Sequence, residues 1–207
     1  MKIIVLGDYE RAPYHPLTKV DELLVGMLQD EHEVTYTDDY SVLLLPNLSQ
    51  YDLLIGYMDL FKELTYTDEQ GAGLLQYVAG GGKVLYIHSG ICMAQKTELA
   101  QMIGAKFSTH PKRCDIVYSG SSEHPITKGV ASFTLFEEPY MVDFMYGTPC
   151  KTFLHFEYQG ALYPAGWCTK YGLGHSVYLQ PGHEASIFEV LEVQQLIKQA
   201  VAYLDTF

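Results

Sequence analysis

The sequence predicts an α/β fold: a three-layer α/β/α, doubly wound and mostly parallel sheet, with an antiparallel section added in its C-terminal half. Three observations carry this. Between residues 2 and 103, short apolar runs alternate with stretches whose apolar residues recur at helical spacing, the pattern of parallel strands joined by right-handed crossovers. Several of those runs end at glycine, proline or another turn residue. From Cys114 onward the texture changes to short runs rich in β-branched and aromatic residues, which read as antiparallel strands.

In order, Lys2 to Leu6 reads as a buried first strand, followed by the polar loop GDYERAPYHP and a helix from about Thr18 to Gln29 on Val20, Leu23, Leu24 and Met27. Glu33 to Tyr36 is a second strand and Tyr51 to Tyr57 a third. Thr67 with Gln70 starts a helix that runs to the Gly80-Gly81-Gly82 stop. Strand Lys83 to Ile87 delivers His88, and a helix is expected over Cys92 to Ile103. CDIVYS, SFTLF, MVDFMY, KTFLHFEY and HSVYLQ are the expected antiparallel strands. Pro164, Gly166 and Trp167 read as a loop, Gly172 and Gly174 as a turn, and Ile187 to Tyr203 as a closing helix. A chain of 207 residues without linker, repeat or low-complexity segment suits one domain over residues 1–207.

A formal charge of -12 repels phosphate backbones and anionic lipid, and no Lys/Arg cluster reverses it locally; nucleic acid and membranes are poor partners. The start MKIIVLGD lacks a basic-then-apolar leader, and Cys92, Cys114, Cys150 and Cys168 form no C-x-x-C pair, so a cytoplasmic protein with reduced thiols is expected. Seventeen tyrosines exceed what a core needs; they suit sugar contacts or the interface of a homo-oligomer, and counting does not separate the two. The glycines carry no Walker or dinucleotide fingerprint, because the triple glycine precedes its strand, so NAD and ATP are disfavoured.

Histidines at the ends of apolar runs stand out: His88 in YIHSG, His110 in FSTHP, His124 in EHPIT and His183 in PGHE. In an open α/β sheet the carboxyl ends of strands converge on one crevice, so His88 and His183 can meet despite their separation. YIHSG has the shape of a strand-turn-helix elbow, which exposes one side chain and aims the backbone N–H groups of Ser89 and Gly90 at an anion or carbonyl oxygen. A histidine there suits proton transfer or metal ligation; the plainer alternative is a histidine merely hydrogen-bonded at a strand end. Two or three of His88, His110 and His183 with a carboxylate such as Glu138 would satisfy zinc, or the same groups could act without metal as an acid-base pair. His15 lies in the loop after the first strand, on the edge that would line the crevice. Trp167 could stack on a sugar, although a lone tryptophan is more often core, and His124 is expected to cap a turn.

GGGKVLYIHSG, LAQMIGAKFSTHP, EHPITKGVASFTLFEEPYMVDF and YPAGWCTKYGLGHSVYLQPGHE, in this order, resemble the trehalose-utilisation (ThuA-like) family, whose fold is similar to flavodoxin-like class I glutamine amidotransferases. The resemblance implies a role in carbohydrate metabolism, with trehalose or related glycosides as the association. It puts His88 where the amidotransferase nucleophilic cysteine stands, which disfavours glutamine hydrolysis. It matches His110, Glu138 and His183 to family motif positions, with His183-Glu184 echoing the amidotransferase His-x-Glu segment. Gly174-His175 departs from the more usual Gly-Arg, so a substrate contact at His175 depends on its protonation. Two functions follow. One is an enzyme that hydrolyses or isomerises a sugar or oxidised sugar with His88, His183 and Glu138 as catalytic groups; Ser89, Gly90, His15, His175 and Trp167 would bind substrate. The other is a sugar-binding or regulatory module that has lost the nucleophile of its scaffold.

Overall fold

The computed structural model describes residues 1–61 and 66–207. Nine strands form one sheet in the order β2-β1-β3-β4-β11-β10-β9-β6-β7, and β5 with β8 forms a separate two-stranded sheet. The strands β1 (Lys2–Gly7), β2 (Glu33–Thr37), β3 (Leu53–Tyr57), β4 (Lys83–Ile87) and β11 (Gly174–Leu179) run parallel. β10 (Ala161–Tyr171), β9 (Lys151–Tyr158), β6 (Cys114–Gly120) and β7 (Phe133–Glu137) then alternate in direction. Four reversals bring β7 back to the direction of β4, so the ends of β1, β3, β4, β7 and β11 all lie along one edge.

Helices cover both faces of the parallel part. On one face Val20 and Leu24 of α1 (Val20–Leu28) and Leu196 and Val201 of α5 (Leu191–Leu204) share a core with Ile3, Val5, Leu85 and Val177. On the other, Leu74 and Val78 of α3 (Asp68–Ala79) and Leu99 and Met102 of α4 (Thr97–Ile103) pack with Ile4, Leu6, Val84 and Tyr178. Alternate residues of one strand thus feed opposite cores, as a pleated strand buried on both faces requires. The Thr67–Gln70 pair forms a reciprocal capping box at the start of α3. No helix among the described residues is long and apolar enough to cross a membrane.

Several expectations need correction. HSVYLQ is not antiparallel to its core neighbour: β11 sits between β4 and β10, pairing parallel with the first and antiparallel with the second. Pro164, Gly166 and Trp167 belong to β10, where register shifts around Gly166 absorb the proline and glycine. The helix expected over Cys92 to Ile103 is two pieces, a 3₁₀ segment His88–Gln95 and then α4, separated at Lys96, whose backbone is extended. The closing helix likewise starts with a 3₁₀ turn, Ala185–Glu189, and is interrupted at Val190 before α5. Short α2 (Leu45–Leu48) and β5 (Ala105–Thr109), which pairs with β8 (Met141–Phe144), carry too little periodicity to be read from sequence.

Candidate metal centre

Each site residue follows a strand on the shared edge. His15 lies in the loop after β1, Asp59 two residues beyond β3, His88 directly after β4, Glu138 directly after β7, and His183 in the turn after β11. His88 adopts φ 45°, left-handed backbone that a β-branched or bulky side chain rarely accepts and that marks the sharp elbow. Gly90 is obligatory behind it, since a Cβ there would stand 2.3 Å from the Gly56 carbonyl oxygen of the neighbouring strand.

The elbow and the turns bring His15, His88, Glu138 and His183 together, with one ligand atom from each lying within 4.8 Å of all the others. His15 Nε2 is 3.2 Å from His183 Nδ1, and Glu138 Oε2 is 3.3 Å from His183 Nδ1, 3.8 Å from His88 Nε2 and 3.8 Å from His15 Nε2. His88 is fully buried; its Nδ1 donates to the Gln180 carbonyl at 2.7 Å, which leaves the Nε2 lone pair directed at the cluster with no hydrogen-bond partner. Asp59 accepts from the backbone N–H groups of Tyr14 and His15 and stands 3.6 Å from His15 Nδ1. The Gln180 amide donates to the Glu138 carbonyl, tying the end of β11 to the end of β7.

Electrostatics separate the roles. Burial holds the His88 ring below the usual histidine range against the opposing pull of Glu137 and Glu138, so this ring is kept neutral. Burial also works against charge on His15, but Asp59 and Glu138 outweigh it and raise that ring. For Glu138 burial favours the acid form, yet His15, His183 and His88 together hold the carboxyl far below the usual carboxylate range. An ionised Glu138 and a neutral His88 are what a cation requires of its ligands, whereas the raised His15 ring would have to release a proton to bind one.

A cavity of about 420 Å³ opens onto His15 and Glu138 and is walled by Tyr14, Phe61, Phe107, His110 and Tyr140. Its rings interlock edge to face, with Phe107 and Tyr140 centred 4.8 Å apart and Phe61 and Phe107 5.1 Å apart.

The placement of the residues expected from sequence is uneven. His88, His183 and Glu138 converge, and His15 joins them as a member of the cluster. His110 stands on the rim instead: its Nδ1 donates to the Pro111 carbonyl and lies 3.9 Å from Glu138 Oε1. Ser89 is fully buried and Gly90 is packed against β3, and neither is among the residues that line the cavity. Trp167 is fully buried, with its indole N–H given to the Ile103 carbonyl, and cannot stack on a ligand. His175 begins β11 at the opposite edge of the sheet, stacked on Phe207 at 3.7 Å, far from the crevice. His124 accepts from the Ile126 N–H and stacks on Phe153, a turn-capping core residue. Asp59 was missed, although a carboxylate just past YDLLIGY lies where a parallel strand opens onto its crevice. The ring wall was also missed, because Phe61, Phe107 and Tyr140 are neighbours only in three dimensions.

The sequence profile of a family described as trehalose utilisation, ThuA, matches residues 5–204. The chain belongs to the ThuA family. No curated protein matches it by sequence. Among solved structures, a ThuA-like protein from Parabacteroides merdae is similar with a TM-score of 0.81 at 15% identity, covering 100% of this chain and 90% of that one. A ThuA-like protein from Bacteroides uniformis gives 0.79 at 16% identity, covering 99% and 91%. A cytoplasmic protein of Salmonella typhimurium gives 0.69 at 13% identity over 99% of both chains. At these identities the ThuA chain shares a fold with its neighbours, and its chemistry rests on its own residues.

Proposed function

We propose that this ThuA-family chain is a metal-dependent enzyme of carbohydrate utilisation, which hydrolyses or isomerises a sugar or oxidised sugar in the cavity beside His15, His88, His183 and Glu138. The observation that carries this is the convergence of the four ligand atoms. Zinc bound at 2.0–2.1 Å sets its ligand atoms roughly 3.3 Å apart; four of the six separations here are 3.2, 3.3, 3.8 and 3.8 Å, and all lie within 4.8 Å. The orphaned Nε2 of His88, its tautomer fixed by Gln180, and the Asp59 carboxylate behind His15 complete the outer contacts that such ligands need. A bound divalent ion that takes up a fifth ligand beside these four would supply Lewis-acid polarisation of a sugar carbonyl or hydroxyl oxygen.

The remaining work falls to the chain. Tyr140, Phe61 and Phe107 offer apolar ring faces to the C–H face of a sugar and exclude water around it. Among the described residues no Lys or Arg lines the cavity. Glu138, kept ionised, turns Oε2 to the three histidines, which leaves Oε1 to accept a proton from the substrate, and His110, whose Nδ1 is engaged by Pro111, offers Nε2 to a hydroxyl at the rim. The two-carboxylate glycosidase plan finds no support, since Glu137 beside Glu138 is buried and turned to the backbone. Glutamine hydrolysis is disfavoured too: burial pushes the Cys92 thiol well up, and it donates to the Met58 carbonyl.

The scaffold reads as doubly wound and amidotransferase-like, a reading supported by the parallel order β2-β1-β3-β4-β11, which is the flavodoxin-like 2-1-3-4-5 arrangement. Its switch point between β1 and β3 is where His15 and Asp59 stand. One domain and a cytoplasmic location fit this reading, the latter supported by the Salmonella protein. Metal analysis of purified, untagged protein tests it. Near-stoichiometric zinc or another transition metal, lost in His88→Ala and in His183→Ala, is expected, with turnover of a glycoside and keto-sugar panel lost in Glu138→Gln. A parent protein that holds no metal even after incubation with zinc, cobalt or manganese would overturn the metal centre.

A further inference from the structure

Glu137 is fully buried at the end of β7 and contributes no atom to the metal cluster. Its oxygens are committed to the backbone: Oε1 accepts from the N–H groups of Gly182 at 2.7 Å and His183 at 3.0 Å, and Oε2 from that of Glu138 at 3.0 Å. Tyr57, on β3, reaches the same turn from the other side, its hydroxyl donating to the carbonyls of Gly182 at 2.8 Å and His183 at 3.3 Å. The two peptides are therefore held by their donors and by their acceptors at once. Gly182 has φ 150° and lies so close to β4 that a Cβ would come within 2.7 Å of Ile87 Cγ2, which leaves the turn no slack.

We propose that Glu137 and Tyr57 form a clamp of positioning residues that presents His183 and Glu138 to each other and to the metal; this rests on the metal-centre reading. A buried carboxylate is costly unless its oxygens are fully hydrogen-bonded, and here three charge-assisted N–H contacts offset that cost. The chemistry requires a carboxylate. A glutamine has one acceptor oxygen, so its amide N–H₂ would face either the Glu138 N–H or the Gly182–His183 pair, donor against donor. Ligand groups need holding to about 0.5 Å, and His183 Nδ1 sits at ligating separation from both His15 and Glu138; loosening the turn takes it out of range.

The test uses Glu137→Gln and Tyr57→Phe in the full chain, with zinc affinity measured by competition against a chromophoric chelator. Histidine-ring ¹H–¹⁵N NMR of the metal-free protein provides the second readout. Glu137→Gln, folded by circular dichroism, is expected to bind zinc about 10–100-fold more weakly, as outer-shell losses do. Tyr57→Phe, which removes one hydroxyl, is expected to lose about 2–10-fold. In both, the His183 ring signals shift or broaden while those of remote His124 stay in place, a selectivity that general destabilisation does not produce. A folded Glu137→Gln with parental affinity and an unmoved His183 overturns the clamp. If Glu137→Gln does not fold, Tyr57→Phe decides by the same two readouts. A parent that takes up no zinc sinks the metal centre instead, and the His183 signals alone then judge the clamp.

Discussion

Replacing His15 by alanine is expected to remove most of the thermal response of the protein to zinc, whereas replacing His110 is expected to preserve it. Free zinc at a hundredfold excess over its dissociation constant stabilises the folded state by about 2.7 kcal/mol. For a chain of this length, each kcal/mol moves Tm by roughly 2–4 °C, so zinc should raise the parental Tm by about 5–11 °C and a chelator should reverse it. His15 Nε2 is one of the four converging atoms and the closest to His183 Nδ1. Losing a direct ligand weakens binding by at least the roughly hundredfold that outer contacts reach. At the same zinc concentration the stabilisation then falls to about 0.4 kcal/mol, a shift of only ~1–2 °C. His110 spends its Nδ1 on Pro111 and borders the cavity, so His110→Ala should keep the parental shift. Melting curves by circular dichroism with zinc, without it and with chelator measure all three proteins. The reverse pattern, a lost response in His110→Ala and an intact one in His15→Ala, would refute the assignment of His15 as ligand.

Two further outcomes test the packing. Trp167 fills the core beside Phe144 and Tyr178 and gives its N–H to Ile103; Trp167→Ala should cost about 3–5 kcal/mol, read by denaturant melts, and a parent whose tryptophan emission is that of a solvent-exposed indole would contradict its burial. Burial, and after it Lys151, hold His124 below the usual histidine range. Below about pH 6.5 the unfolded chain takes up a proton that the folded ring resists, so this contribution is present above that pH and is lost as pH falls. His124→Phe should flatten the decline of stability between about pH 6.5 and 5, and an unchanged slope would exclude the residue as its source.

Legibility from the sequence followed the range of the signal. β1, β3, β4 and α3 were readable because their apolar runs and the Thr67 cap are local, and His88 and His183 were flagged because a strand end is a local event. His15 can be placed on the right edge but not in the cluster, since the groups it meets there follow β4, β7 and β11. His110 reads as a metal ligand for the opposite reason: its motif resembles that of a site residue, and only the Pro111 carbonyl and the rim position reveal a different engagement. His175 sits beside a plausible glycine turn, yet strand direction carries it to the opposite edge. The reading of Trp167 as a loop residue failed because Gly166 and Pro164 are accommodated by register shifts within β10, which are invisible without the neighbouring strand.

The placement of β11 between β4 and β10 also sets a timetable for biogenesis. During synthesis β4 emerges early and can pair with β3, but the strand that covers its other edge comes last, after the whole antiparallel section. At ~5–20 residues per second the ribosome needs roughly 5–20 s to pass from Ile87 to Leu179, and throughout that interval the nascent β4 presents an unpaired apolar edge open to foreign strands. The same late strand carries the turn that supplies His183, so a truncated or stalled chain has neither a closed sheet nor the full cluster of His15, His88, Glu138 and His183. Sheet closure and site completion therefore become one event, which favours slow, chaperone-sensitive folding and prevents any partly made molecule from acquiring its chemistry early.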